Sequence, residues 1–288
     1  MVYIEKQINF YIEDRIKKNI IESLRSAGCV FAEEEAELLF SESMTFDGLS
    51  SMVNLRITGT PLEHVLGWAK FCGIKIIVDP GVFVPRIRTE YLVRTAVALS
   101  VTGAIVVDLC CGTGAVGVAI AKGLEWIQLY AVDIDPIAVR CAHRNVTNLG
   151  GHVFEGDLYK ALPAKLHGKV NLVVANAPYV PTGAMILLPQ EARLHEPKVA
   201  LDGGNDGLDI QRRVAAEASR WLAPGGHLLV ETSQMQASHS LEIFSQFGLI
   251  PQLIHDDELD ATVIIGTKPN LSKHKEPSVL VEKPKGTD

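Results

Sequence analysis

Residues 170–179 read Val-Asn-Leu-Val-Val-Ala-Asn-Ala-Pro-Tyr, an apolar run that stops on Asn176, Ala177, Pro178 and Tyr179. An asparagine side chain presents a carbonyl acceptor and an NH2 donor, the proline stiffens the turn, and the tyrosine ring offers a flat wall. Together these groups suit a planar amide or a base edge, although the same tetrapeptide also serves as an ordinary strand-ending turn. A second constellation lies upstream, where Gly112, Gly114 and Gly117 satisfy G-x-G-x-x-G and Asp133 follows at the distance from which an acid reaches ribose hydroxyls. By that spacing alone, a nicotinamide dinucleotide is a serious candidate ligand.

Three features pull the reading toward S-adenosylmethionine. Asp108 stands just before the turn Cys110-Cys111-Gly112-Thr113-Gly114, placed to meet an ammonium group and ill suited to a pyrophosphate. Gly156-Asp157-Leu158 closes a later strand, where Asp157 accepts from an exocyclic amine and Leu158 packs on the adenine ring. Asn176 to Tyr179 then fall beside the place to which a transferable methyl projects, and a dehydrogenase has no use for that loop. Asp133 and Asp157, each taken singly, also read as simple strand-end caps. Both of them on consecutive strand ends, in register with the glycine turn, argue against coincidence.

These residues need elements to hold them. Strands are expected at 105–109, 127–132, 153–155, 170–175, 227–232, 249–254 and 261–267, and helices at 115–122, 136–148, 208–222 and 236–247. The alternation predicts an α/β fold with a mostly parallel, doubly wound seven-stranded sheet, in which ligands bind at the carboxyl ends of the strands. Helical periodicity at 10–57 predicts a small amino-terminal helical domain, and the acidic run Glu33, Glu34, Glu35, Glu37 reads as a solvated face. Segments 71–78 and 82–84, broken by Asp79-Pro80-Gly81, read as a β-hairpin between the domains. Arg86 and Arg88 beside Glu90 fit a surface ion pair or the lining of a cleft. The expected divisions are 1–70 helical, 71–86 hairpin linker, 87–268 cofactor-binding and 269–288 a disordered tail rich in Lys, Pro, Ser and Glu.

Acids outnumber Lys and Arg by 34 to 27 in 288 residues, which argues against a broad nucleic-acid footprint. No apolar run approaches a membrane span and the first residues lack a signal-peptide pattern, so a cytoplasmic location is expected. Cys29, Cys72, Cys110, Cys111 and Cys141 form no C-x-x-C pair, and the histidines are scattered; no metal is expected.

Several motifs, in order, are similar to those of one family. Pro61-Leu62-Glu63-His64-Val65-Leu66-Gly67 with Phe71 resembles P-L-x-Y-I-L-G-x-x-x-F, and Pro85-Arg86-Ile87-Arg88-Thr89-Glu90 resembles P-R-P-x-T-E. Glu196-Pro197 through Leu208 matches E-P-x-x-A-L-x-G-G-x-D-G-L, and Asn176 to Tyr179 stands where the family has N-P-P-Y. The set resembles the HemK/PrmC-type protein-glutamine N-methyltransferases, class I S-adenosylmethionine enzymes, over roughly residues 60–267. Departures are Ala177 in the signature loop, Cys110 for the first glycine of D-x-G-x-G-x-G, Ile87-Arg88, and Glu231-Thr232-Ser233 for E-x-G. They mark a divergent branch.

The resemblance implies that Asn176 and the Ala177 carbonyl accept from a substrate glutamine amide, that Tyr179 packs on it, and that Arg86 and Glu196 contribute to the acceptor site. It implies cofactor contacts at Asp108, Cys110, Cys111, Gly112, Thr113, Gly114, Asp133, Asp157, Leu158 and Asn176. A protein substrate is expected, a release factor or a ribosomal protein first, with no stable nucleic-acid or membrane partner and a monomeric enzyme. Alternatives are a nucleic-acid adenine or cytosine amino methyltransferase, a methyltransferase of the same fold acting on another protein or a small molecule, and a non-enzymatic binding protein.

Overall fold

The computed structural model describes residues 2–270. The tail expected at 269–288 therefore lies almost wholly outside the described residues. The chain begins with four helices, α1 (Val2–Ser26), α2 (Ala32–Glu42), α3 (Phe46–Ile57) and the short α4 (Leu62–Leu66). Their core is Leu24, Ala32, Ala36, Leu39 and Leu49, set by the i, i+3, i+4 spacing of apolar residues on each helix. Glu35 departs from the solvated-face expectation. It is buried and binds Arg56 through both oxygens, at 2.6 and 3.1 Å, because its position in the helical repeat falls on the inward face.

A two-stranded hairpin follows, β1 (Trp68–Phe71) and β2 (Ile74–Ile77). Its turn is Cys72-Gly73, with φ of 48° and 73°, instead of Asp79-Pro80-Gly81. A two-residue hairpin turn with both residues left-handed is the type that matches strand twist. Cysteine at the first position hides it from a reading tuned to Asn-Gly or Asp-Gly. Cys72 N–H donates to Glu90 Oε1 at 2.7 Å, which takes Glu90 away from the arginines beside it.

The remainder comprises α5 (Glu90–Leu99), β3 (Ile105–Leu109), α6 (Ala115–Gly123), β4 (Gln128–Asp133), α7 (Pro136–Val146), β5 (His152–Glu155), β6 (Val170–Ala175), α8 (Gln190–His195), α9 (Asp209–Trp221), β7 (Leu222–Thr232), α10 (Ala237–Gln246), β8 (Ile250–Asp256) and β9 (Ala261–Thr267). The sheet order is β5-β4-β3-β6-β7-β9-β8, parallel except for β9, which runs antiparallel to both neighbours. One apolar layer packs on each face, Leu109, Val173 and Val230 on one side and Val106, Leu172, Val174 and Leu229 on the other, as period-2 alternation in a two-sided sheet requires. Strand order reverses between β3 and β6. That switch point opens a crevice beyond the strand ends, and it fixes where Asp108, Asp133, Asn176 and Glu231 meet.

Candidate functional site

The turn after β3 is the first wall of the crevice. Gly112 and Gly114 adopt left-handed φ of 56° and 76°, and the turn is closed on itself, Gly114 N–H donating to Cys111 O at 2.7 Å. Cys110 shares that conformation at φ 55°, so the position that carries a side chain here is one that favours glycine. Asp108 is buried beneath the turn, accepts from Gly117 N–H at 2.9 Å, and burial raises its carboxyl to about 7. Asp133, at the end of β4, accepts from Gly112 N–H at 2.8 Å and Asp135 N–H at 2.9 Å; burial raises it too. Burial likewise pushes the Cys110 and Cys111 thiols up, so both stay protonated at neutral pH.

Asp157 lies at the crevice with its carboxylate held below the usual range, first by Lys160 at 2.9 Å and then by Arg213 at 2.5 Å. Arg213, which also lines the cavity, had no sequence signal because it pairs from α9, remote in the chain. Leu158 is buried with a left-handed φ of 50°. Asp108, Cys110, Cys111, Gly112, Thr113, Asp133, Asp157, Leu158 and Asn176 all line one cavity; Gly114 sits behind it as the cap of α6.

A second chamber adjoins the first. The two share Phe83, Asn176, Pro178 and Ala200, so the loop after β6 is the partition between them. Asn176 Nδ2 donates to the buried Thr89 Oγ1 at 3.3 Å, which turns the amide so that Oδ1 is its other face. Tyr179 OH accepts from Arg88 Nη2 at 2.7 Å and donates to Glu231 Oε1 at 3.3 Å; burial, then Glu231, pushes its pKa to about 12. Arg86 Nη2 reaches the buried Glu196 Oε1 at 2.5 Å, and Ala177 is buried.

The loop is also braced from behind. Val180 N–H donates to Leu201 O at 3.0 Å, Gly203 N–H returns to Val180 O at 2.9 Å, and Gln236 Nε2 donates to Tyr179 O at 3.0 Å. These ties hold the backbone that a second proline would otherwise have stiffened. Thr89, Glu231 and Gln236 reach the site across more than fifty residues of chain, which is why spacing did not reveal them. Helix α8, whose residues Glu191 and Ala192 line the second chamber, was also missed, although Pro189 at its start is a usable signal.

The family model for the Methyltransferase small domain matches residues 73–193. A release factor glutamine methyltransferase of Geobacter sulfurreducens is 36% identical over 245 residues, 78% of this chain and 85% of the relative. The chain belongs to the release factor glutamine methyltransferase family. A second relative, the 4-amino-L-phenylalanine/4-methylamino-L-phenylalanine methyltransferase of Streptomyces pristinaespiralis, is 36% identical over 203 residues, 68% of this chain and 69% of the relative. The fold is also that of a Pyrococcus furiosus methyltransferase, at TM-score 0.52 and 15% identity, covering 78% of this chain and all (100%) of that one.

As a member of this family the protein is an S-adenosylmethionine-dependent methyltransferase, and the first cavity fits that cofactor. Its walls carry Asp108, Asp133 and Asp157, an arrangement that attracts a ligand with an ammonium, hydroxyls and an exocyclic amine and repels a pyrophosphate. Gly112 has open space where a Cβ would stand, so the backbone there can approach a ligand. Among the described residues, no group of three His, Cys, Asp or Glu is placed to hold a metal ion, and no helix is long and apolar enough to cross a membrane.

Proposed function

We propose that the enzyme methylates the side-chain amide nitrogen of a glutamine in a protein, a release factor first and a ribosomal protein next. The observation that carries this reading is the partition at Asn176 to Tyr179, which separates a cofactor cavity from an acceptor chamber and presents amide-binding groups to both. Bound S-adenosylmethionine supplies an electrophilic methyl on a sulfonium. The chain's own task is to hold a weak nucleophile in line, because an amide lone pair is delocalised into its carbonyl. Asn176 Oδ1, oriented by Thr89, and the Ala177 carbonyl accept the two N–H groups of the acceptor and favour the positive charge that grows on nitrogen. Tyr179 packs on the amide plane. The departing proton needs no strong base, since nitrogen becomes acidic as the new bond forms.

Asp108 would meet the cofactor's ammonium, Asp133 its ribose, and Asp157 with Leu158 its adenine. The chamber lining also supports a protein acceptor over a nucleic acid: five acids face two arginines there, a poor environment for phosphates. Pro61 and Glu63, from the helical segment, line the same chamber, which supports a role for residues 1–70 in substrate recognition. An aromatic amine is the second reading, favoured by the name of the Streptomyces relative.

The test is transfer from labelled cofactor to purified release factor, to ribosomal proteins, to RNA and to 4-aminophenylalanine. Label on a protein glutamine is expected. With Asn176→Ala, transfer should fall about a hundredfold, the scale of removing one aligned polar contact, and by more than the loss of cofactor affinity measured by calorimetry. Undiminished transfer would sink the amide clamp, and label confined to RNA or the free amine would replace the substrate class.

A further inference from the structure

Two carboxylates in the acceptor chamber are only half satisfied by their neighbours. Glu196, its side chain 1% exposed, accepts at Oε1 from Val84 N–H at 3.2 Å and from Arg86 Nη2 at 2.5 Å. Glu231, 2% exposed, accepts at Oε1 from Arg88 Nε at 3.2 Å and from Tyr179 OH at 3.3 Å. Oε2 of each is buried and has no hydrogen-bond partner among the described residues. A buried, charged oxygen without a donor is costly, and a ligand that brings a donor recovers that cost. Both residues line the chamber that Asn176 also lines. Glu231 follows Val230, which pairs with Ala175, so it stands beside Asn176 at the ends of adjacent strands.

The surplus of acids among the lining residues gives the chamber a field that favours a cation. Met235, which lines the chamber, and Ile87 and Leu187, next in the chain to lining residues, are exposed apolar side chains available to a protein segment.

We propose that Glu196 and Glu231 form a cation subsite that receives the guanidinium or ammonium of a basic residue lying near the methylated glutamine in the same protein segment. The proposal rests on the protein-glutamine reading. A guanidinium, with donors arranged in a fork, suits carboxylate oxygens that still lack a partner. Arg86 and Arg88 hold the opposite oxygens, and both carboxylate residues line the chamber.

The test uses the full chain, S-adenosylmethionine and peptides with a single glutamine, in which Arg, citrulline or Glu is placed in turn at each neighbouring position. At one position the Arg peptide should show a KM about tenfold below its citrulline counterpart, the scale of a charge-assisted hydrogen bond, with the Glu peptide weakest. Glu231→Gln and Glu196→Gln should each draw the Arg-to-citrulline ratio toward one, with calorimetric cofactor binding as the measure that each variant is folded. Equal KM values for Arg and citrulline peptides at every position, while glutamine is methylated, would overturn the subsite and leave the glutamine reading standing. A preference that persists in both Gln variants would overturn it as well. Failure to methylate any glutamine peptide would instead count against the underlying reading and take the subsite with it.

Discussion

Asp108 ties the chemistry of the site to pH. Burial moves its carboxyl from 3.8 to about 7, so the folded, cofactor-free chain retains a proton there that the unfolded chain has lost. Stability from this group therefore declines as pH rises through that window, the reverse of an ion-paired carboxylate. A ligand ammonium needs the ionised form, so binding should release a proton below about pH 7. Cofactor affinity is predicted to strengthen from pH 6 to about pH 7.5 and then level off, and Asp108→Asn should flatten the profile. Calorimetry in two buffers of different ionisation heat reads the proton directly; equal heats at pH 6 would contradict the assignment. At the same scale, the Cys110 and Cys111 thiols are held protonated by burial, first of all, and by nearby acids. Neither should be alkylated by iodoacetamide at pH 8 in the native protein, as mass mapping would show. Asp108, Asp133 and Asn176 were legible in the sequence because each lies at or within one residue of the end of a strand. Thr89 was not, because its partner Asn176 lies 87 residues away.

The parallel strands were legible as elements because each is an apolar run stopped by a turn residue or an acid. β3, β6 and β9 have the expected bounds. β7 begins earlier, at Leu222, since Pro224, Gly225 and Gly226 read as a loop while an irregularity beside Val170 lets the strand absorb them. The segment 201–208, quoted only as a motif, proves to be the brace of the acceptor loop. A Cβ on Gly203 would stand 2.5 Å from the Gly207 carbonyl oxygen and 2.7 Å from that of Pro178, so glycine allows both the fold of this segment and its approach to the loop after β6. Gly203→Ala should displace Pro178, lower transfer at least tenfold and leave cofactor affinity nearly unchanged. Full activity in that variant would show that the brace does not set the loop.

Across the whole molecule, Arg56 joins the helical segment to the acceptor side. Its guanidinium binds Glu35 within the helices and reaches Glu191 of α8 at 2.6 Å, with the Arg56 side chain only 10% exposed. Arg56→Ala leaves Glu35 buried beside no cation, which should cost about 3 kcal/mol in denaturant unfolding and weaken acceptor binding more than cofactor binding. Composition could not reveal this link, because the run of four glutamates looks uniformly solvated until the helix phase buries one of them. The doubly wound sheet, the glycine turn and the Asn176 loop converge on one claim, that a methyl group passes through the partition at Asn176 to Pro178 onto a glutamine amide. Tandem mass spectrometry of a release factor after incubation with the enzyme and S-adenosylmethionine tests it most directly. One added methyl on a glutamine side-chain nitrogen is expected, formed about a hundredfold more slowly with Asn176→Ala; a methyl on any other atom, or on RNA or a free amine alone, would contradict that claim.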